Sequence, residues 1–143
     1  MSPETLFSIC NTAVLPGRLL LVFAPRWKWT KLILDSCLLP LLLAVVYLFL
    51  VVAHFGQTDG GFGSLADVSK LFQNPHVLLA GWIHYLAFDL FVGGWEVRDA
   101  ERLGINHLLV VPCLILTFLL GPIGLLLYFI LRWTLRRKFL IEE

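Results

Sequence analysis

Residues 76–95, HVLLAGWIHYLAFDLFVGGW, decide how this chain is read. As a helix the stretch is about one bilayer thickness long. It carries His84 near its middle and Asp89 five residues later. Ionisable side chains are costly in hydrocarbon, so such a pair marks a candidate functional site.

Working outward, three more apolar stretches appear, at about 5–24, 32–54 and 107–133. The first is interrupted by Pro16-Gly17-Arg18, the last by Pro112 and Gly121-Pro122. Each is long enough to span a bilayer, and only helices suit these lengths, because spanning backbone must satisfy its own hydrogen bonds. With 59% hydrophobic residues in 143, the chain is far more apolar than a soluble domain of that size. The reading is all-α: one integral membrane domain over 1–143, a four-helix transmembrane bundle. Between the second and third stretches, Leu65, Val68, Leu71 and Phe72 recur at helical spacing after Ser64. They predict a short amphipathic helix on the membrane surface.

A net charge of +1 and the lack of a basic patch interleaved with aromatics argue against a nucleic-acid partner. Basic residues gather at expected helix ends, in Arg26-Trp27-Lys28-Trp29 and Arg136-Arg137-Lys138. With Trp95 and Trp133 they fit headgroup anchors. Four crossings put Arg26, Lys28, Lys31, Arg98 and Arg102 on one side and Lys70, Arg132, Arg136, Arg137 and Lys138 on the other. That is a tie, so charge does not orient the chain. The N-terminus lacks the basic start of a secretory signal, and the first apolar stretch is expected to be retained.

Arg18 and Asp89 each lie six residues before the end of their stretch on one common side, so their depths match. A buried Arg18–Asp89 ion pair is expected, with Asp35 and Glu96 as further charges in the same half of the bundle. Trp82, Tyr85, Asp89, Gly93 and Glu96 share one face of the third helix; Gly81, His84 and Phe88 share another. His84 and Asp89 are about 140° apart around the axis, so they are no metal-ligand pair but could flank one cavity. A core histidine bonded to a backbone carbonyl fits His84 equally well. On the last helix, Asn106, Cys113, Thr117, Gly121, Gly124 and Tyr128 form a stripe suited to helix packing, or to one wall of a groove.

Cys10, Cys37 and Cys113 form no CxxC or Cys/His pattern and read as packing residues. No metal site is expected, since no HxxxH or HxxHH box is present. Phosphate loops, nucleophile elbows and dinucleotide fingerprints are also missing from the sequence.

The runs LFSICNTAVLPGRLLLVFAPRW, HYLAFDLFVGGW followed by EVRDA, and LLVVPCLILTFLLGPIGLLLY resemble the ABA-deficient-four-like membrane family over nearly the whole chain. The family includes a plant plastid protein required for neoxanthin synthesis, and this chain looks like a compact bacterial-type member, set in an inner or thylakoid-type membrane. The resemblance implies a carotenoid or other isoprenoid lipid as partner, and a cofactor-independent isomerase that opens an epoxy-carotenoid end group to an allenic alcohol. Such a reaction needs an acid for the epoxide oxygen and a base for a polyene proton. Asp89 and His84 are then the proton-transfer candidates, with Trp82, Tyr85 and Phe88 lining the substrate groove. Arg18, Asp35 and Glu96 are supporting charges. A non-catalytic isoprenoid- or lipid-binding protein, and a small transporter or assembly factor, remain alternatives on the same residues. Oligomerisation is compatible with all three.

Overall fold

The computed structural model describes residues 1–54, 56–138 and 140–141, without the side chains of Leu34 and Asp35. The expected role of Asp35 therefore lies outside the described side chains. Among the described residues seven helices follow one another: α1 Pro3–Phe23, α2 Lys28–Asp35, α3 Leu38–His54, α4 Leu65–Leu71, α5 Pro75–Leu103, α6 His107–Leu120 and α7 Pro122–Arg136. No strand occurs among the described residues. Among the described residues, three helical stretches are long and apolar enough to cross a membrane: Pro3–Phe23, Lys28–His54 (α2 with α3) and Pro75–Leu103.

Local chemistry explains most boundaries. Ser2 caps α1 through the Thr5 amide, and Pro3 occupies the first turn, where a missing N–H costs nothing. Pro16 is accommodated inside α1, which runs on continuously. Ser64 caps α4 in the same way, so the expected short helix forms. Asn74 and Pro75 open α5, and Gly104, in the left-handed region at φ 63°, closes it.

The centre of the molecule is α5, packed on α1, α3 and α6. It is longer than the sequence suggested. The charged run from Glu96 was expected to be a link, but the helix continues to Leu103 with Glu96, Asp99 and Ala100 buried. Trp95 is accordingly no end anchor; its ring stacks on Phe129 and meets Tyr128 edge-on. Helix continuity wins there because α6 and α7 cover the charged face.

The largest departure is at 107–133. In place of one crossing helix there are two, α6 of 14 residues and α7 of 15. At about 1.5 Å per residue each is roughly 21 Å long, against a hydrocarbon core of about 30 Å. They reverse at Gly121, whose φ of 45° and ψ of −95° favour a residue without a side chain. The two helices then pack closely on each other. A Cβ on Gly124 would fall inside the Thr117 backbone, so that position must be glycine for the helices to meet.

Both ends of this hairpin sit at the same end of α5. His107 comes three residues after Gly104, and its Nε2 is 2.9 Å from the Val22 carbonyl at the end of α1. Arg136, in the last turn of α7, donates to the Gly104 carbonyl. Arg132, Arg136, Arg137 and Lys138 thus lie beside Arg98 and Arg102, not on the opposite side as four crossings required.

Candidate functional site

One face of α5 presents Tyr85, Asp89, Gly93, Glu96 and Asp99 to the α6–α7 hairpin. The helical repeat sets this column, and the hairpin fills it rung by rung. At the outer rung, Asp99 Oδ2 accepts from Tyr128 at 2.7 Å and from Arg132 Nε at 2.8 Å. Arg102 donates to Asp99 Oδ1 at 2.8 Å. The remaining Arg132 nitrogens donate to the Lys138 and Leu140 carbonyls. Arg132 and Tyr128 are fully buried, and both are completely partnered.

One rung inward, Thr117 donates to Glu96 Oε1 at 2.9 Å, while Glu96 Oε2 is buried without a partner. Inward again, the tip of the hairpin meets Asp89. A Cβ built on Gly121 would stand 3.1 Å from Asp89 Oδ1, so the carboxyl abuts the start of α7. The positive end of a helix dipole favours a carboxylate at that place. Tyr85 donates to the Phe118 carbonyl at 3.1 Å, in the last turn of α6, and its hydroxyl also interacts with Asp89.

Arg18 enters from α1. Its guanidinium lies over the Phe118 ring, 5.3 Å from the centroid, where cation and ring attract. Arg18 and Asp89 interact electrostatically, but no ion pair within 4 Å joins them among the described residues. The expected contact pair is therefore corrected to two facing charges, because Phe118 of α6 takes up the guanidinium. Arg18 Nε and Nη2 and Asp89 Oδ2 are buried without partners among the described residues. Two donors and one acceptor on interacting residues are thus left over, a set whose chemistry suits a hydroxyl, an ether oxygen or a carbonyl.

An apolar groove of about 660 Å³ lies beside the other end of α5. Its walls include Phe7, Phe72, Leu78 and Trp82, and Tyr85 lies at its inner end. The Trp82 ring packs between Phe7 and Tyr85 and donates Nε1–H to Asn11 at 3.0 Å. That bond satisfies the indole within an apolar helix face.

The structure thus brings together Arg18, Trp82, Tyr85 and Asp89, with Glu96 about two turns away. His84 and Phe88 are on a different face. Their rings stack at 4.6 Å, His84 also meets Tyr47 of α3 at 5.7 Å, and both side chains are exposed on the bundle surface. The 140° separation is realised, and the groove that Trp82 and Tyr85 line does not include His84 or Phe88. Sequence reasoning missed Asp99, Tyr128, Arg132, Thr117 and Phe118 as neighbours of the cluster. Extending the stripe three residues beyond Glu96 reaches Asp99, and Tyr128 and Arg132 share a face four residues apart. No group of three or more metal-ligating side chains occurs among the described residues.

These features define an all-helical protein with three helices apolar enough to cross a membrane and a charged column enclosed beside the longest of them. The chain belongs to the ABA DEFICIENT 4-like family, whose model matches residues 5–128. It is similar to Protein ABA DEFICIENT 4, chloroplastic, of Arabidopsis thaliana, with 24% identity over 144 residues. That match covers 95% of this chain and 64% of the relative, so the chain spans slightly less than two thirds of the relative's length. No solved structure matches the chain.

Proposed function

We propose that the protein is an integral membrane protein that binds a carotenoid or related isoprenoid along the Phe7–Trp82–Tyr85 groove, with an oxygen-bearing end group delivered to Arg18 and Asp89. The observation that carries this reading is an apolar groove lined by Tyr85, whose hydroxyl adjoins Asp89, a carboxyl with a buried oxygen that no described residue bonds. A long apolar molecule with one polar end matches both parts. The family relationship supports the same ligand class.

The chemistry we propose is isomerisation of an epoxide end group to an allenic alcohol. A proton is added to the epoxide oxygen as one C–O bond breaks, and a neighbouring polyene carbon gives up a proton as the new double bond forms. Atoms and electrons balance within the substrate, so the step consumes no oxidant or reductant. Asp89 is the proton-transfer group, and Tyr85 adjoins it to relay or hold a proton. Arg18 stabilises the charge that develops on oxygen. His84 was a candidate for the second proton transfer; its position on the α3 side of α5 leaves that role to Tyr85.

Expression in a host that makes violaxanthin, followed by pigment analysis, tests the reading. Allenic product that is lost in Asp89→Asn and retained in His84→Ala is the expected result. Co-purifying pigment without product would reduce the claim to binding. Folded protein with neither product nor pigment would overturn it in favour of transport. Transport has one observation on its side, since broken helices whose ends meet inside a bundle are a common way to build a substrate site in transporters.

A further inference from the structure

The α6–α7 hairpin also fixes the path of the chain through the membrane. We infer that the chain crosses the bilayer three times, that the hairpin re-enters from the basic face and closes the bundle there, and that the groove opens toward the opposite face. This inference does not depend on which ligand the groove takes.

Three observations carry it. First, both hairpin ends are tied to the end of α5 and α1: His107 to Val22, Arg136 to Gly104, and Arg132 to Asp99. Arg102 adds a bond to the Ile141 carbonyl at 2.7 Å. A helix that crossed the bilayer could not bring residues 107 and 136 to one level. Second, the reversal at Gly121 meets Asp89 and Tyr85, 14 and 18 residues before Leu103. That is about 21–27 Å below the end of α5, inside a core about 30 Å thick. Backbone that turns at such depth survives only where protein encloses it. Here the Phe118 carbonyl is bonded by Tyr85, and the Gly121 amide by the Thr117 carbonyl.

Third, the redrawn path changes the charge count. Arg26, Lys28, Lys31, Arg98, Arg102, Arg132, Arg136, Arg137 and Lys138 now share one face, nine of the eleven Lys and Arg residues. Lys31 Nζ lies 3.4 Å from Glu101, which places the start of α2 at that face as well. Only Lys70 is left on the opposite face, and Arg18 is inside. The tie of the four-crossing arrangement becomes a strong bias, and positive residues stay on the side from which the protein inserts. The basic face is therefore cytoplasmic, or stromal in a plastid.

Access follows. From the basic face, the route to Asp89 is filled by the Arg132–Asp99–Tyr128 cluster, the Thr117–Glu96 bond and Phe118 packed over Gly93. From the other face, the groove begins at Pro3, Glu4 and Pro75, the starts of α1 and α5. A membrane-soluble molecule consequently reaches the site from the leaflet remote from the basic face.

Two added cysteines, one per variant, decide this. Asp59→Cys lies between α3 and α4, and Arg137→Cys follows α7; the parent chain serves as the blank for its native cysteines. An impermeant maleimide applied to intact bacterial spheroplasts should label Asp59→Cys at once and Arg137→Cys only after lysis. Labelling of both from the same side would restore four crossings and overturn the inference. The reverse pattern would overturn the orientation and the side of entry. An epitope inserted between Gly60 and Gly61, read with antibody on the same spheroplasts, gives the sidedness independently of cysteine. None of these readouts involves pigment, so their failure and failure of the carotenoid reading are separate results.

Discussion

Two charged clusters lie on the same face of α5, about 15 Å apart, and they are built on opposite principles. Around Asp99 every charged nitrogen of Arg132 has a partner, and both carboxylate oxygens are bonded. Around Asp89 the charges face each other without contact, and Arg18, Asp89 and Glu96 all keep unpartnered buried atoms. A satisfied network rigidifies a fold, whereas a partly satisfied one costs stability and persists where it has work to do. The outer cluster reads as the lock that holds the hairpin in place, and the inner one as the site that the lock positions.

The largest expected effect is on the lock. Replacing Arg132 by Met leaves Asp99 without its buried counter-ion and should lower stability by about 3–5 kcal/mol, visible as a large drop in detergent melting temperature. A change below about 1 kcal/mol would mean that the outer cluster does not hold the hairpin. Next comes Gly124→Ala, which sets a methyl against the Thr117 backbone and should cost about 1–3 kcal/mol by the same measurement. A neutral outcome would show that α6 and α7 can separate freely. Thr117→Val removes one bond to Glu96, worth about 1 kcal/mol between helices in a membrane. The smallest effect on stability belongs to Asp89→Asn, within about 1 kcal/mol of the parent, since the carboxyl forms no contact ion pair to lose. Yet this variant should abolish allenic product. If Asp89→Asn instead unfolds the protein, the contrast between lock and site fails.

Much of this was legible in the sequence, and the failures have physical causes. The helical class and the short helix capped by Ser64 followed from apolar length and capping chemistry. So did the gathering of Trp82, Tyr85 and Asp89 on one face, because that depends only on the repeat of a single helix. What the sequence could not carry was the sense of the break at Gly121-Pro122. The same dipeptide serves a kinked crossing and a full reversal, and the choice depends on partners across the bundle, here Tyr85, Glu96 and Asp99. The misplacement of Arg132 followed from that single step. The Arg18–Asp89 contact failed for a related reason: matched depth says nothing about the Phe118 ring of α6, over which the guanidinium lies.

The shortness of α6 and α7 has a bearing on how the protein is made. A 14-residue helix is a poor signal for the insertion machinery, which recognises stretches close to twenty apolar residues. During synthesis α5 emerges with Glu96 and Asp99 uncovered; Thr117 follows 21 residues after Glu96, and Arg132 33 residues after Asp99. The hairpin must then dock against a wall that is already inserted. Docking of the hairpin is therefore a late step in the assembly of this chain, and a chain stopped shortly after Gly104 would leave Glu96 and Asp99 without the Thr117 and Arg132 partners that cover them.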